Sequence, residues 1–292
     1  MKRFSISLGL ALTTLSLLAA GASPAQACLF SVQVREPSDG SNVTESGPTA
    51  VDSGEVSFPS NLGVPNSYVG RAAAGPGMLR ARGLARVQGI PAMSHNASGN
   101  ASAFFILDDV IITGPVGVTS VNATMNIDVD GVMPVIVTQN SGPAASFALR
   151  MQLPGNVTTG AIDINGVAGT TTSTGLLAGF DGPTVSGHIT SGVGTFSTTG
   201  PNTVKIDINA GAVAGASGGI LGEFSEAQSN FFNTVHFPTS GPVFNLPAGF
   251  TANSVCGLIV NNQWAGAVPE PSTGVLAIVA GGLMWWWRKR FK

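Results

Sequence analysis

The chain has 292 residues, of which 39 are Gly, 18 Pro and only 2 Cys, and 10% are charged. That charged share is far below the roughly 25% of an ordinary soluble domain, while 43% apolar residues suffice for a packed core and exclude wholesale disorder. A formal net charge of −2 argues against a nucleic-acid binder, which needs a basic face to meet phosphate.

Residues 1–27 read as a secretory signal peptide. Lys2 and Arg3 supply the positive start, Ile6 to Leu18 the apolar stretch, and Ala25-Gln26-Ala27 the small-x-small cleavage site. Cleavage there makes Cys28 the first residue of an exported domain spanning 28–266. That domain carries seven basic and fourteen acidic residues, a charge of −7 that the basic ends of the chain mask. Such a charge favours solubility over adsorption to anionic lipid. Cys28 and Cys256 frame the domain, and an oxidising compartment favours one disulfide between them. Two buried thiols are a second state, and lipidation of Cys28 a third, although Ala25 and Gln26 fit a lipoprotein signal poorly.

Residues 31–66 are rich in Ser, Gly, Pro and acidic groups. They predict a partly irregular cover, with strands over Leu29 to Val34 and Val56 to Phe58. From Arg71 to Val87 the chain is rich in Ala, Gly and Arg. Arg80, Arg82 and Arg86 share one parity, so a strand projects all three to one face. There they either pair across strands with a carboxylate row such as Asp128 and Asp130, or form a ligand face for the carboxylates of an acidic polysaccharide.

Beyond this point short β-branched and aromatic runs alternate with Gly, Pro, Asn and Asp, the pattern of an all-β, antiparallel sandwich. Phe104 to Thr113 predicts a strand pair or one long bulged strand. Val118 to Asp130, Val132 to Gln139, Ser146 to Leu153, Gly160 to Ile164, Val185 to Ser197 and Val204 to Ile208 predict further strands. Thr234 to Phe237, Val243 to Leu246 and Val255 to Val260 complete the set. Phe224 to Phe232 invites a helical turn or two, and Thr170 to Thr174 reads as a loop.

One Tyr, three separated His and few carboxylates leave little material for catalysis, and no motif implies a cofactor. Asn126, Asp128, Asp130 and Gly131 echo the start of a calcium loop, but position twelve, where a bidentate Glu belongs, is Val137. The other reading is a strand with those three residues on its outward face, ending at an Asp-Gly turn. Gly215-Ala216-Ser217-Gly218-Gly219 matches G-x-S-x-G, a pattern that acts only on a strand-to-helix turn in an α/β sheet. His95, His188 and His236 lack a second ligand at metal spacing.

At the C-terminus, Val268-Pro269-Glu270-Pro271-Ser272-Thr273 precedes an apolar run from Gly274 to Trp287 and the basic end Arg288-Lys289-Arg290-Phe291-Lys292. The run predicts a transmembrane helix over 273–287. It rises about 21 Å, or about 26 Å if Pro271 opens it, against a hydrocarbon core of about 30 Å. Trp285, Trp286 and Trp287 suit the interface, and Arg288, Lys289 and Arg290 hold the end in the cytoplasm.

Pro269-Glu270-Pro271, the short apolar segment and the basic end, in that order, resemble the PEP-CTERM sorting tail of Gram-negative bacteria. The resemblance implies an exosortase and the inner membrane as partners during sorting. It implies an inner-membrane anchor facing the periplasm before processing, then the cell surface or extracellular matrix. Val243 to Thr251 and Gly257 to Asn262 resemble blocks that precede this tail in PEP-CTERM ectodomains of jelly-roll or immunoglobulin-like type. The functional expectation is a non-enzymatic surface or matrix protein with a structural or adhesive role. An exopolysaccharide-binding module is the alternative, weakened by a single Trp (Trp264) and a single Tyr (Tyr68) in the exported domain. A hydrolase would need paired buried carboxylates in one cleft.

Overall fold

The computed structural model describes residues 28–36, 42–59, 67–88, 95–138, 142–166, 169–216 and 224–266. The expected signal peptide, the expected sorting tail with Pro269 to Pro271 and Trp285 to Arg290, and Ser217 to Gly219 lie outside them. Among the described residues every regular element is a strand, and no helix is long and apolar enough to cross a membrane.

In chain order the strands begin with β1 (Leu29–Arg35), β2 (Asn42–Gly47), β3 (Val51–Asp52), β4 (Val56–Pro59), β5 (Ser67–Gly75) and β6 (Met78–Gln88). The long β7 (His95–Thr113) and β8 (Ser120–Val132) follow, then β9 (Val135–Thr138), β10 (Ala144–Leu153), β11 (Asn156–Asn165) and β12 (Thr170–Gly175). Next come β13 (Thr184–Thr190), β14 (Gly194–Ser197), β15 (Asn202–Ala216) and β16 (Phe224–His236). The short β17 (Phe244–Asn245), β18 (Thr251–Ser254), β19 (Ile259–Val260) and β20 (Gln263–Trp264) end the domain.

Two antiparallel sheets hold nearly all of them. The first runs β12-β11-β10-β15-β7-β1-β2, with β18 added to β7. The second runs β13-β8-β16-β6-β5-β3, with β14 and β17 on β8, β4 on β5 and β9 on β16. A separate hairpin joins β19 to β20 through Asn261 and Asn262, both at positive φ (52° and 63°), the backbone that a two-residue primed turn requires.

Side-chain size sets the distance between the sheets. Facing sheets usually stand about 10 Å apart, yet Cα atoms of β6 come within 8 Å of those of β7 and β15. The inward residues there are Ala81 and Ala85 on one side and Ala101, Ala103, Ala210 and Ala212 on the other, all buried. Larger side chains fill the flanks. Phe147 of β10 stacks on Phe231 of β16 with ring centroids 3.5 Å apart, and Phe105 meets Phe237 edge-on at 5.5 Å. Tyr68 lies flat against Gly99 of the opposite sheet, where a Cβ would stand 2.5 Å from its ring.

Several expectations change. Phe224 to Phe232 is strand, not helix: Ser225, Ala227, Ser229 and Phe231 are buried while the residues between them are not, a period of two. Thr170 to Thr174 is the edge strand β12 rather than a loop, in keeping with β-branched Thr. The expected cover over 31–66 contains two strands more than foreseen: β2, which pairs with β1 along its whole length, and β3, which pairs with β5. Val185 to Ser197 divides into β13 and β14, and Val204 to Ile208 extends to all of β15.

Two bulges interrupt the ladders. Val204 pairs with Leu107 and Asn202 with Val110, so β7 carries one extra residue around Asp108 and Asp109. This is the bulged form of the long strand. In β16, Phe231 pairs with Ala81 and Val235 with Leu79, which leaves two residues over. Phe232, its amide held by Asn230 Oδ1 (3.1 Å), lies on the outer face beside Arg71.

Candidate functional site

Three places concentrate chemistry: a covalent corner and the outer faces of the two sheets.

At the corner Cys28 and Cys256 form a disulfide with Cα atoms 6.3 Å apart, spanning a sequence separation of 228. The sulfur that a lipoprotein would acylate is therefore already bonded. Beside the bulge in β7, Asp109 continues the inward alternation of Phe105 and Leu107 and lies against this bond, 2% exposed. Its Oδ2 accepts the Cys256 amide hydrogen at 2.5 Å, while Oδ1 is buried without a partner. Cys28, Asp109 and Cys256 have ligand-type atoms within 4.8 Å of one another, but the two sulfurs are joined to each other.

Burial pushes the Asp109 carboxyl above its ordinary value of 3.8, against the opposing pull of the Cys256 hydrogen bond. The folded state then binds this proton more tightly than the unfolded chain, so the Asp109 contribution to stability rises as pH falls toward 3.8. Thermal melts of the wild type and Asp109→Asn across that window check this. The variant should lose part of the upward slope; identical slopes would remove Asp109 as its source.

On the outer face of the second sheet Arg80, Arg82 and Arg86 do share one side, joined by Arg71. Their carboxylates are not Asp128 and Asp130. Arg71 Nε and Nη2 grip the two Asp52 oxygens at 3.0 and 2.5 Å, holding that carboxyl below the ordinary range. Arg86 Nε reaches Glu226 at 2.6 Å, and Arg82 Nη1 lies 3.8 Å from Glu55. Arg80 is the member with no carboxylate partner among the described residues; its guanidinium stands 5.6 Å from the Phe232 ring centroid, with Arg71 at 4.4 Å. Phe232 was not marked by its sequence context, because the alternation that turns Phe231 inward and Phe232 outward exists only once this segment is a strand.

Asn126, Asp128 and Asp130 lie on the straight strand β8, so their side chains are about 6.8 Å apart along it instead of converging on an ion. Asn126 is buried in a reciprocal amide pair with Asn245 and also accepts from Thr190 Oγ1 at 2.9 Å. Asp128 meets His188 Nδ1 at 2.9 Å, and Asp130 is exposed. His236 stacks on Trp264 with centroids 5.7 Å apart; the His95 side chain lies outside the described residues.

The outer face of the first sheet is different in kind. Antiparallel register aligns Thr174, Ala161, Ala148, Asn209, Ser102, Gln33 and Thr44 in one row across seven of the sheet's eight strands. The next row places Arg150 opposite Asp207 and Asp207 opposite Phe104. Alanines in the first row and long side chains in the second leave a trough of two adjoining depressions, 420 and 330 Å³, that share Ser102, Arg150, Asp207 and Ile208. Lys205 Nζ bonds Asp207 at 2.9 Å and stands 4.5 Å over the Phe104 ring. Sequence reasoning missed this row because it exists only in the register. Arg150 had a signal of its own, as one of only seven basic residues in the domain. Comparison of the chain with protein-family models, curated proteins and solved structures gives no match.

Proposed function

We propose that the protein is an exported cell-surface or extracellular-matrix protein with a non-enzymatic, structural or adhesive role. Its two sheets form a β-sandwich of jelly-roll or immunoglobulin-like kind. Its address is the PEP-CTERM-like tail, with Pro269-Glu270-Pro271 as sorting motif. Trp285 to Trp287 and Arg288 to Arg290 anchor it in the inner membrane until an exosortase acts.

The observation that carries this reading is the Cys28–Cys256 bond. A disulfide of this kind belongs to an oxidising compartment, the one that a leader ending at Ala27 implies. Intact-mass analysis of the protein isolated from its own host tests the reading. The expected mass lacks residues 1–27, ends near Pro269 and is two hydrogens lighter than the dithiol form. A protein retaining its first 27 residues with both thiols free would overturn export.

A second reading, binding of exopolysaccharide, draws on the polar trough of the first sheet. A hydrolase reading draws no comparable support. Asp108 and Asp109 adjoin in the chain, but the first is exposed and the second is buried under the disulfide.

A further inference from the structure

We propose that the outer face of the first sheet binds a carboxylated polysaccharide laid across its strands, with Arg150 as the carboxylate anchor. This rests on the second reading above and assigns it a site, an orientation and a ligand charge.

Four observations carry it. First, the hydrogen-bonding groups of this row are unused. Gln33, Ser102, Asn209, Thr174 and Arg150 make no side-chain bond to other described residues, whereas the arginines of the opposite face are largely paired. Second, each amide or hydroxyl among them both donates and accepts, as sugar hydroxyls do. An extended peptide would instead call for apolar pockets at alternate positions, and the floor here is Ala148 and Ala161.

Third, the row is long. From Thr174 to Thr44 it crosses six inter-strand steps, about 29 Å, which suits a chain of several sugars rather than a single small molecule. Fourth, its charge is sparse. Lys205 and Asp207 neutralise each other, so Arg150, exposed and unpaired, is the one uncompensated charge lining the trough among the described residues. A planar guanidinium takes a carboxylate through two parallel hydrogen bonds. One such anchor in a domain of charge −7 fits a polymer with one carboxylate per sugar and opposes the several-fold denser charge of duplex nucleic acid.

The test is calorimetric titration of the full chain, purified in mild detergent, with polygalacturonate, alginate and uncharged dextran. At least one of the two uronate polymers should bind, dextran more weakly. Arg150→Ala should weaken that binding about tenfold or more, the scale of a charge-assisted pair. Arg150→Lys should restore only part of it, Asn209→Ala should weaken it less, and Arg80→Ala should leave it unchanged. Arg150 and Arg80 both project outward, so thermal melts should be level across the set. Loss on Arg80→Ala with none on Arg150→Ala would move the ligand to the other sheet and overturn the site while polysaccharide binding stood. Dextran binding as tightly as the uronates, with Arg150→Ala silent, would overturn the carboxylate anchor. No binding to any of the three polymers would overturn both site and second reading, and leave export and the disulfide untouched.

Discussion

Replacing Cys28 and Cys256 together by alanine is expected to lower the thermal midpoint by some 10–20 °C. The bond closes a loop of sequence separation 228, for which the chain-entropy relation gives about 5 kcal/mol of lost denatured-state freedom. For a domain of this size each kcal/mol shifts the midpoint by about 2–4 °C. Local packing adds to the effect, because the Cys256 amide is the hydrogen-bond donor that compensates the buried Asp109 carboxylate. Loosening the Cys256 loop leaves that charge buried with less support. Scanning calorimetry of the double variant, and of the wild type under reductant, checks it. A drop of only a degree or two in both would mean that β1 and β18 are held in place by β7 alone.

The second large effect is at the aromatic stack. Phe231→Ala should cost about 3–5 kcal/mol, the usual range for emptying a buried phenyl site. Phe231 is fully buried, stacks on Phe147 of the other sheet, and covers Gly131 so closely that a side chain there would overlap its ring. Its neighbour supplies the control. Phe232 sits on the outer face, where strand alternation after Phe231 places it, with Arg71 over its ring. Phe232→Ala should therefore cost about 1 kcal/mol or less. Urea midpoints of the two variants measure the contrast, and equal losses would contradict the inward placement of Phe231 and the outward placement of Phe232.

The all-β class was legible because alternation and turn residues are local signals. Ser120–Val132 alternates and stops near Gly131, and Ser146 to Leu153 does the same. What stayed hidden depends on contacts far apart in sequence. Asn209 to Ala216 has no β-branched run beyond Val213, and it extends β15 because only Ala and Gly fit where the sheets close below 8 Å. Phe224 to Phe232 carries Ser, Glu, Ala and Gln, residues at home in a helix. Pairing on both sides, with β6 and with β9, makes it a strand.

The sites divide in the same way. The parity of Arg80, Arg82 and Arg86 could be read directly, since it needs one strand only. Their partners could not, since Glu55 and Glu226 come from β-strand neighbours and flanking chain distant in sequence. The disulfide was legible from compartment and cysteine number, without geometry. Asp109 offered a partial signal: two adjacent Asp inside the apolar run Phe104 to Thr113 cannot both face water in a strand. The row through Gln33, Ser102 and Asn209 had none, as seven strands must first find their register.

The covalent corner also imposes a schedule. A chain delivered N-terminus first, from a ribosome or through a translocation pore, presents Cys28 long before its sulfur partner arrives. Meanwhile β1 must wait for β7, which lies about seventy residues behind it. Throughout that interval the emerging polypeptide holds open hydrophobic strands with unpaired rims, the condition in which chains aggregate. Whatever escorts it has to guard it until the last fifth of the domain has come through, and a nascent chain stalled before residue 256 would have no means of locking itself shut.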